Sequence, residues 1–192
     1  MMDQPRQSVS AERTAAVVCP GPSSEMFVTA GQDYDVVIGV NRVVLWYPVD
    51  YWSCADLHTF RWVIEQGGPA GDPPCRPKIV CKRAIHQAIR NKFWGELEKF
   101  PFYPVGEIVF NDTNLRWAKF SAHVSIALAV HLGCRKIDCY GMDWSGTADA
   151  DGFTDGRQIR TPERWGHERK RFEALVDVLE KRNVELSRVG CG

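Results

Sequence analysis

Apolar residues along the chain fall into two alternating patterns. Short, nearly continuous runs at Ala15 to Cys19, Asp35 to Val40, Tyr51 to Cys54, Lys78 to Cys81, Glu107 to Phe110, Lys136 to Tyr140 and Val184 to Val189 predict strands. Runs too short for a helix and apolar on both faces suit a sheet that is covered on both sides. Between them lie segments of helical spacing: Leu57 to Gln66, Ala84 to Lys99 with Ile85, Ile89 and Phe93 on one side, and a run from Ser121 in which Val124, Ala127, Leu128 and Leu132 recur. Gly133 stands where a left-handed residue ends that helix. A last helix is expected from Pro162 to Lys181, with Thr161 as N-cap, Pro162 in the first turn and Phe172, Leu175, Val176 and Leu179 on the apolar face.

Strands alternating with helices predict an α/β fold, a three-layer domain with a mostly parallel sheet. Residues 1–13 are polar and unpatterned and are expected to form a flexible N-terminus, with one domain over 14–192. The loop Gly67 to Pro74 is too short to divide it. At 192 residues, with 44% hydrophobic and 25% charged positions, the chain can bury one sizeable core. Lys plus Arg and Asp plus Glu both number 24, so nothing global draws the chain to nucleic acid or membrane. No run is long enough to span a bilayer, and the opening residues lack the apolar stretch of a signal peptide, so a cytoplasmic location is expected. The seven cysteines, an odd number with no CxxC pair, fit the same compartment as buried apolar side chains.

In parallel sheets, ligands sit beyond the carboxyl ends of the strands. That rule selects Gly21-Pro22-Ser23-Ser24, Asn41-Arg42 and Gly141 to Ser145, which includes Asp143 and Trp144. The first offers backbone N–H groups and hydroxyls for phosphate or ribose. In the second, an amide can read a base or sugar and a guanidinium can hold phosphate. Turn chemistry and ordinary surface charge account for each segment equally well. Asp149, Asp151 and Asp155 follow Asp143 in a loop with half the pattern of a calcium site.

Of five histidines, His58 stands near Asp56, and His86 and His131 read as packing or surface residues. His123 falls in the first turn of the Ser121 helix, near any bound ligand. His167, in Trp165-Gly166-His167-Glu168, has the chemistry of a general base near neutral pH. Residues 157 to 171 carry Arg157, Arg160, Arg164, Arg169, Lys170 and Arg171, the one concentrated basic patch; it suits a pyrophosphate, a nucleic-acid backbone or a solvated helix face.

In order and spacing, three blocks resemble the bacterial lipooligosaccharide sialyltransferases and a wider Rossmann-like set that includes 6-hydroxymethylpterin pyrophosphokinase-like domains. The blocks are Val17 to Ser23 with Asp35 to Asn41, Ser121 to Asp143, and Gly166-His167 through Leu186. The resemblance covers roughly half the chain. It implies that Gly21, Ser23, Asn41, Ser121 and Gly141 hold a nucleotide, with Pro22, Ser24, Arg42, Ala122, Asp143 and Trp144 beside them. It also implies that His167 is the base, and that Arg116 and Lys119 are the approximate counterparts of an arginine before the central helix. Three departures are visible. Ala122 replaces a glycine, Ser145 and Asp151 stand where the family has paired tyrosines that steady the leaving phosphate, and the family's membrane-associating extension has no counterpart.

The resulting expectation is a glycosyltransferase-like enzyme that binds a nucleotide-sugar and transfers the sugar to an acceptor hydroxyl, with no metal. Its donor and acceptor stay open. One alternative is Mg²⁺-dependent diphosphate transfer to a pterin or nucleoside, in which Asp143 and the Asp-rich loop hold the metal. Another is a non-catalytic, phage-type nucleotide-binding protein. Nucleic acid is not indicated as a partner. Aromatics such as Trp46, Trp62 and Trp117 suit either core packing or a homo-oligomer interface.

Overall fold

The computed structural model describes residues 12–54, 57–70, 76–81, 83–92, 95, 101–104, 121–146, 149–150 and 161–190. Seven strands form one sheet: β1 (Thr14–Val18), β2 (Val36–Val40), β3 (Tyr51–Ser53), β4 (Lys78–Cys81), β5 (Phe102–Pro104), β6 (Lys136–Tyr140) and β7 (Glu185–Val189). Their order is β5-β4-β3-β2-β1-β6-β7, and every pairing is parallel. Parallel strands require crossovers, which here are supplied in part by α1 (Met26–Thr29), α2 (Leu57–Glu65), α3 (Arg83–Lys92), α4 (Ser121–His131) and α5 (Pro162–Glu180).

Alternation along the strands separates the layers. Ala15, Val17, Ile38, Ile137 and Cys139 pack with Ile126 and Leu128 of α4 and with Phe172 and Leu179 of α5. On the opposite face Trp52 and Ile79 meet Phe60 and Val63 of α2 and Ile89 of α3, with Trp52 stacked on Phe60 at 5.3 Å. The sheet is therefore covered on both faces, which is why its strands read as continuous apolar runs. Helix α4 is buried nearly all round, with Ser125, Ile126, Ala127, Leu128 and Ala129 inside. It ends at Gly133, whose φ of +86° is the expected left-handed stop. Helix α5 starts as read: the Thr161 hydroxyl accepts from Arg164 N at 3.3 Å, and Pro162 occupies the first turn.

The sheet also buries a polar cluster between β6 and β7. Asp138, only 5% exposed, accepts from the Tyr34 hydroxyl at 2.8 Å and from Ser187 Oγ, and the Tyr34 and Tyr140 hydroxyls lie 2.6 Å apart. Burial raises both phenols above their ordinary range; the hydrogen bonds to Tyr140 and Asp138 raise Tyr34 further, whereas at Tyr140 the bond with Tyr34 opposes the rise.

The structure adds elements that the sequence reading did not assign. The fifth strand is Phe102–Pro104, whereas the expected strand at 107–110 lies outside the described residues. The apolar stretch after β2 is a 3-10 turn, Asn41–Leu45, and a second such turn, Pro22–Glu25, follows β1. Of the helix expected from Ala84 to Lys99, residues 93–94 and 96–99 lie outside the described residues. Among the described residues no helix is long and apolar enough to cross a membrane.

Candidate functional site

The strand order fixes where a ligand cleft can open. From β1 the chain adds strands outward to β5, then returns to place β6 on the other side of β1. The connections leaving β1 and β6 therefore depart in opposite directions, and the gap between their carboxyl ends is the topological switch point of this sheet. Gly21 to Ser24 and Gly141 to Trp144 are the two segments that flank it.

They are tied together by a closed set of hydrogen bonds. Cys19 N donates to Tyr140 O at 2.8 Å, Gly21 N to Gly141 O at 3.1 Å, Gly141 N to Ser23 Oγ at 3.1 Å, and Ser23 N to Asp143 Oδ2 at 3.0 Å. Gly141 has φ +67°, and a Cβ there would collide with the Cys19 carbonyl. A Cβ on Gly21 would run into Asp143 Oδ2 and the Gly141 carbonyl. Both glycines are demanded by the close approach of the two loops. Asp143 thus serves the architecture, holding the first turn after β1 against the end of β6.

Beside this knot, polar atoms are buried without a hydrogen-bond partner among the described residues: Ser24 Oγ, Asn41 Oδ1 and Trp144 Nε1. Ser24 is fully buried. Asn41 and Trp144 hold left-handed backbones, φ +55° and +49°, a conformation that costs a non-glycine residue energy and that clusters at ligand sites. The three come from the ends of β1, β2 and β6.

Arg42, read from sequence as a phosphate ligand or a surface cation, is buried. Its guanidinium lies 2.6 Å from Asp149, both side chains 5% exposed, and over the rings of Trp62 at 4.8 Å and Trp46 at 5.8 Å. With Ala150 N donating to Pro20 O at 2.8 Å, this pair fastens the loop after β6 to the ends of β1 and β2. Asp149 was legible in sequence only as a loop carboxylate, and its partner stands 107 positions away.

Helix α5 borders the same edge. The charge of Glu168 reaches Cys19 at the end of β1, where burial first and then Glu168, Asp143 and Asp149 push the thiol far above its ordinary range. Glu168 pairs with Arg164 at 3.1 Å and is 16% exposed, a position its sequence context does not signal. His123, in the first turn of α4, is 3% exposed; burial and the nearby Arg171 lower its pKa to about 4, so it is neutral at physiological pH. His167 is exposed on α5, between Arg164 and Arg171. Ser121 and Ala122, half-buried, open α4, with the Ser121 carbonyl accepting from Ser125 Oγ at 2.8 Å.

Trp144 joins the two elements. Its ring meets Phe172 edge-on at 5.2 Å and carries the guanidinium groups of Arg169 at 5.5 Å and Arg188 at 4.8 Å. Arg116, Lys119, Asp151, Asp155, Arg157 and Arg160 lie outside the described residues. Among the described residues no group of three His, Cys, Asp or Glu side chains is arranged to hold a metal. A cleft of about 430 Å³ opens at the opposite, amino-terminal edge of the sheet, lined by Arg13, Asp35, Asp50, Arg76 and Lys78; none of the residues singled out by sequence line it.

No family model matches the chain, and no curated protein matches its sequence. Solved structures do match in shape. The sialyltransferase CstII from Campylobacter jejuni, in complex with the substrate analogue CMP-3FNeuAc, superposes with a TM-score of 0.56 at 14% identity, over 92% of this chain and 80% of that one. Its complex with cytidine-5'-monophosphate gives 0.54 at 13% identity, over 93% and 80%. The complex of CST-II with a trisaccharide acceptor and CMP gives 0.52 at 15% identity, over 92% and 80%. The chain is built on a sialyltransferase-like, Rossmann-like α/β fold.

Proposed function

We propose that the chain is a glycosyltransferase that binds a nucleotide-sugar at the β1/β6 switch point and transfers the sugar to an acceptor hydroxyl. The observation that carries this reading is the set of buried, unpartnered polar atoms at the ends of β1, β2 and β6: Ser24 Oγ, Asn41 Oδ1 and Trp144 Nε1. Buried polar groups are rarely left unsatisfied, and these three supply a hydroxyl, an acceptor and a donor at the carboxyl ends of three adjacent strands. A nucleotide offers the complementary set. The backbone strain at Asn41 and Trp144 points the same way, since it is maintained where a ligand site requires it. The match in fold to structures holding CMP supports the choice of ligand class.

In this reading His167 is the base. The acceptor oxygen bonds to the sugar carbon as its proton passes to the imidazole, and the sugar–phosphate C–O bond breaks with its electron pair going to the phosphate. His167 is exposed on the stretch of α5 whose neighbours Glu168 and Arg171 act electrostatically on Cys19 and His123, so an acceptor can reach it from solvent along the carboxyl edge.

The test is a thermal-shift panel of CMP, UDP, GDP, ADP, their sugar conjugates and ATP, with and without Mg²⁺. A metal-independent rise with one nucleotide supports the proposal and identifies its donor class. His167→Ala then retains that shift and loses sugar transfer. A rise that needs both ATP and Mg²⁺ overturns it in favour of diphosphate transfer.

A further inference from the structure

The surroundings of Trp144 contain hydrogen-bond donors and lack acceptors to match them. The indole N–H is buried with no partner among the described residues. The two guanidinium groups rest on the indole ring, and ring contact consumes none of their N–H donors. One donor of Arg188 reaches the Met142 carbonyl at 3.4 Å, and no described carboxylate lies within ion-pair distance of Arg169 or Arg188. By contrast Arg42 and Arg164, at the same end of the sheet, both have carboxylate partners. Two cations stacked on one ring repel each other, and they are held there by three separate elements: the loop after β6, helix α5 and strand β7.

Such an arrangement has one natural complement, a group with several acceptor oxygens and negative charge. Trp144 directly follows Asp143, whose carboxylate accepts from Ser23 N, so its backbone stands next to a residue that holds the turn after β1. We propose that Trp144, Arg169 and Arg188 form a phosphate clamp in which the ring fixes both guanidinium planes and the phosphate of the bound nucleotide accepts from them. This rests on the nucleotide reading above and adds to it the residues that hold the charge. Arg188 lies on β7, outside the basic patch visible in sequence. The clamp takes up a charge that the family pattern assigns to tyrosines absent from this chain.

The experiment compares each nucleoside with its 5'-monophosphate on the full chain, by calorimetry, in wild type, Arg169→Gln and Arg188→Gln. Inorganic pyrophosphate is titrated in parallel while the Trp144 indole N–H signal, assigned with Trp144→Phe, is followed by NMR. The clamp predicts that the phosphate raises affinity by roughly tenfold or more, and that each variant removes most of this gain while nucleoside affinity stays within about twofold. Arg188→Lys, which keeps the charge but not the planar fork, gives an intermediate loss and guards against a folding defect in the glutamine variant. If no nucleoside or nucleotide binds, the nucleotide reading fails; pyrophosphate then still shifts the Trp144 signal, and the glutamine variants abolish that shift, if the clamp is real. A Trp144 signal unmoved by pyrophosphate, or a phosphate gain unchanged in both glutamine variants, overturns the clamp.

Discussion

Replacing Asp149 by asparagine leaves the Arg42 guanidinium where it is and removes the carboxylate charge paired with it at 2.6 Å. The pair is 2.6 Å apart with both side chains 5% exposed, so solvent cannot compensate the cation, and breaking such a pair from one side costs about 3–5 kcal/mol. The Trp62 and Trp46 rings retain some attraction for the cation, and the asparagine oxygen can still accept one bond, which places the variant near the lower figure. About 3 kcal/mol in a chain of 192 residues corresponds to a fall in Tm of about 6–12 °C. Arg42→Met breaks the same pair from the other side and costs a similar amount. The double variant carries no buried charge at this place, so its cost falls well below the sum of the two, giving a coupling of about 2 kcal/mol or more. Urea unfolding of the four proteins at pH 7 measures the cycle. Costs that add to within about 0.5 kcal/mol refute the account of Arg42 as an architectural cation and return it to the role of an open ligand group.

Three further outcomes follow from the geometry. Gly141→Ala forces a Cβ into the Cys19 carbonyl on a left-handed backbone and costs about 3 kcal/mol or more by chemical denaturation, whereas Gly146→Ala, with open space around it, costs only about 1–2 kcal/mol for its φ of +71°. Because the His123 pKa is lowered in the fold, neutral imidazole stabilises the protein above the unfolded value of 6.5. That stability is lost as pH falls from 6.5 towards about 4, by up to about 3 kcal/mol, and the slope flattens in His123→Gln in a series of urea melts. Tyr34, whose pKa is raised, contributes stability that is intact below the unfolded phenol value of 10.0 and lost as pH rises past it; Tyr34→Phe weakens the fold at neutral pH by about 1–3 kcal/mol and shows a shallower alkaline decline.

Much of this architecture is written locally. Lys78 to Cys81 and Lys136 to Tyr140 match the observed strands at both ends because each is flanked by polar or turn residues and buried on two faces. Gly133 and Thr161-Pro162 mark helix ends through backbone chemistry that needs no tertiary partner. Strand β5 escaped because three residues preceded by Pro101 and ending in Pro104 leave no periodicity to read. That Gly21 to Ser24, Asn41 and Gly141 to Trp144 stand at the carboxyl ends of strands was legible, because each directly follows an apolar run that forms one. What those residues do there was not. The pairing of Arg42 with Asp149, the capture of Ser23 N by Asp143 and the stacking of Arg188 on Trp144 join positions distant in sequence, and no local pattern encodes them.

The central claim, a nucleotide seated between the ends of β1 and β6, is tested most directly by backbone NMR mapping of the full chain titrated with CMP, UMP, AMP and GMP. The account predicts that one of them moves the amides of Gly21 to Ser24, Asn41 and Gly141 to Trp144 together, in a saturable manner and without added metal. Perturbations confined to the amino-terminal cleft around Asp35, Asp50 and Lys78, or none with any of the four, would contradict it.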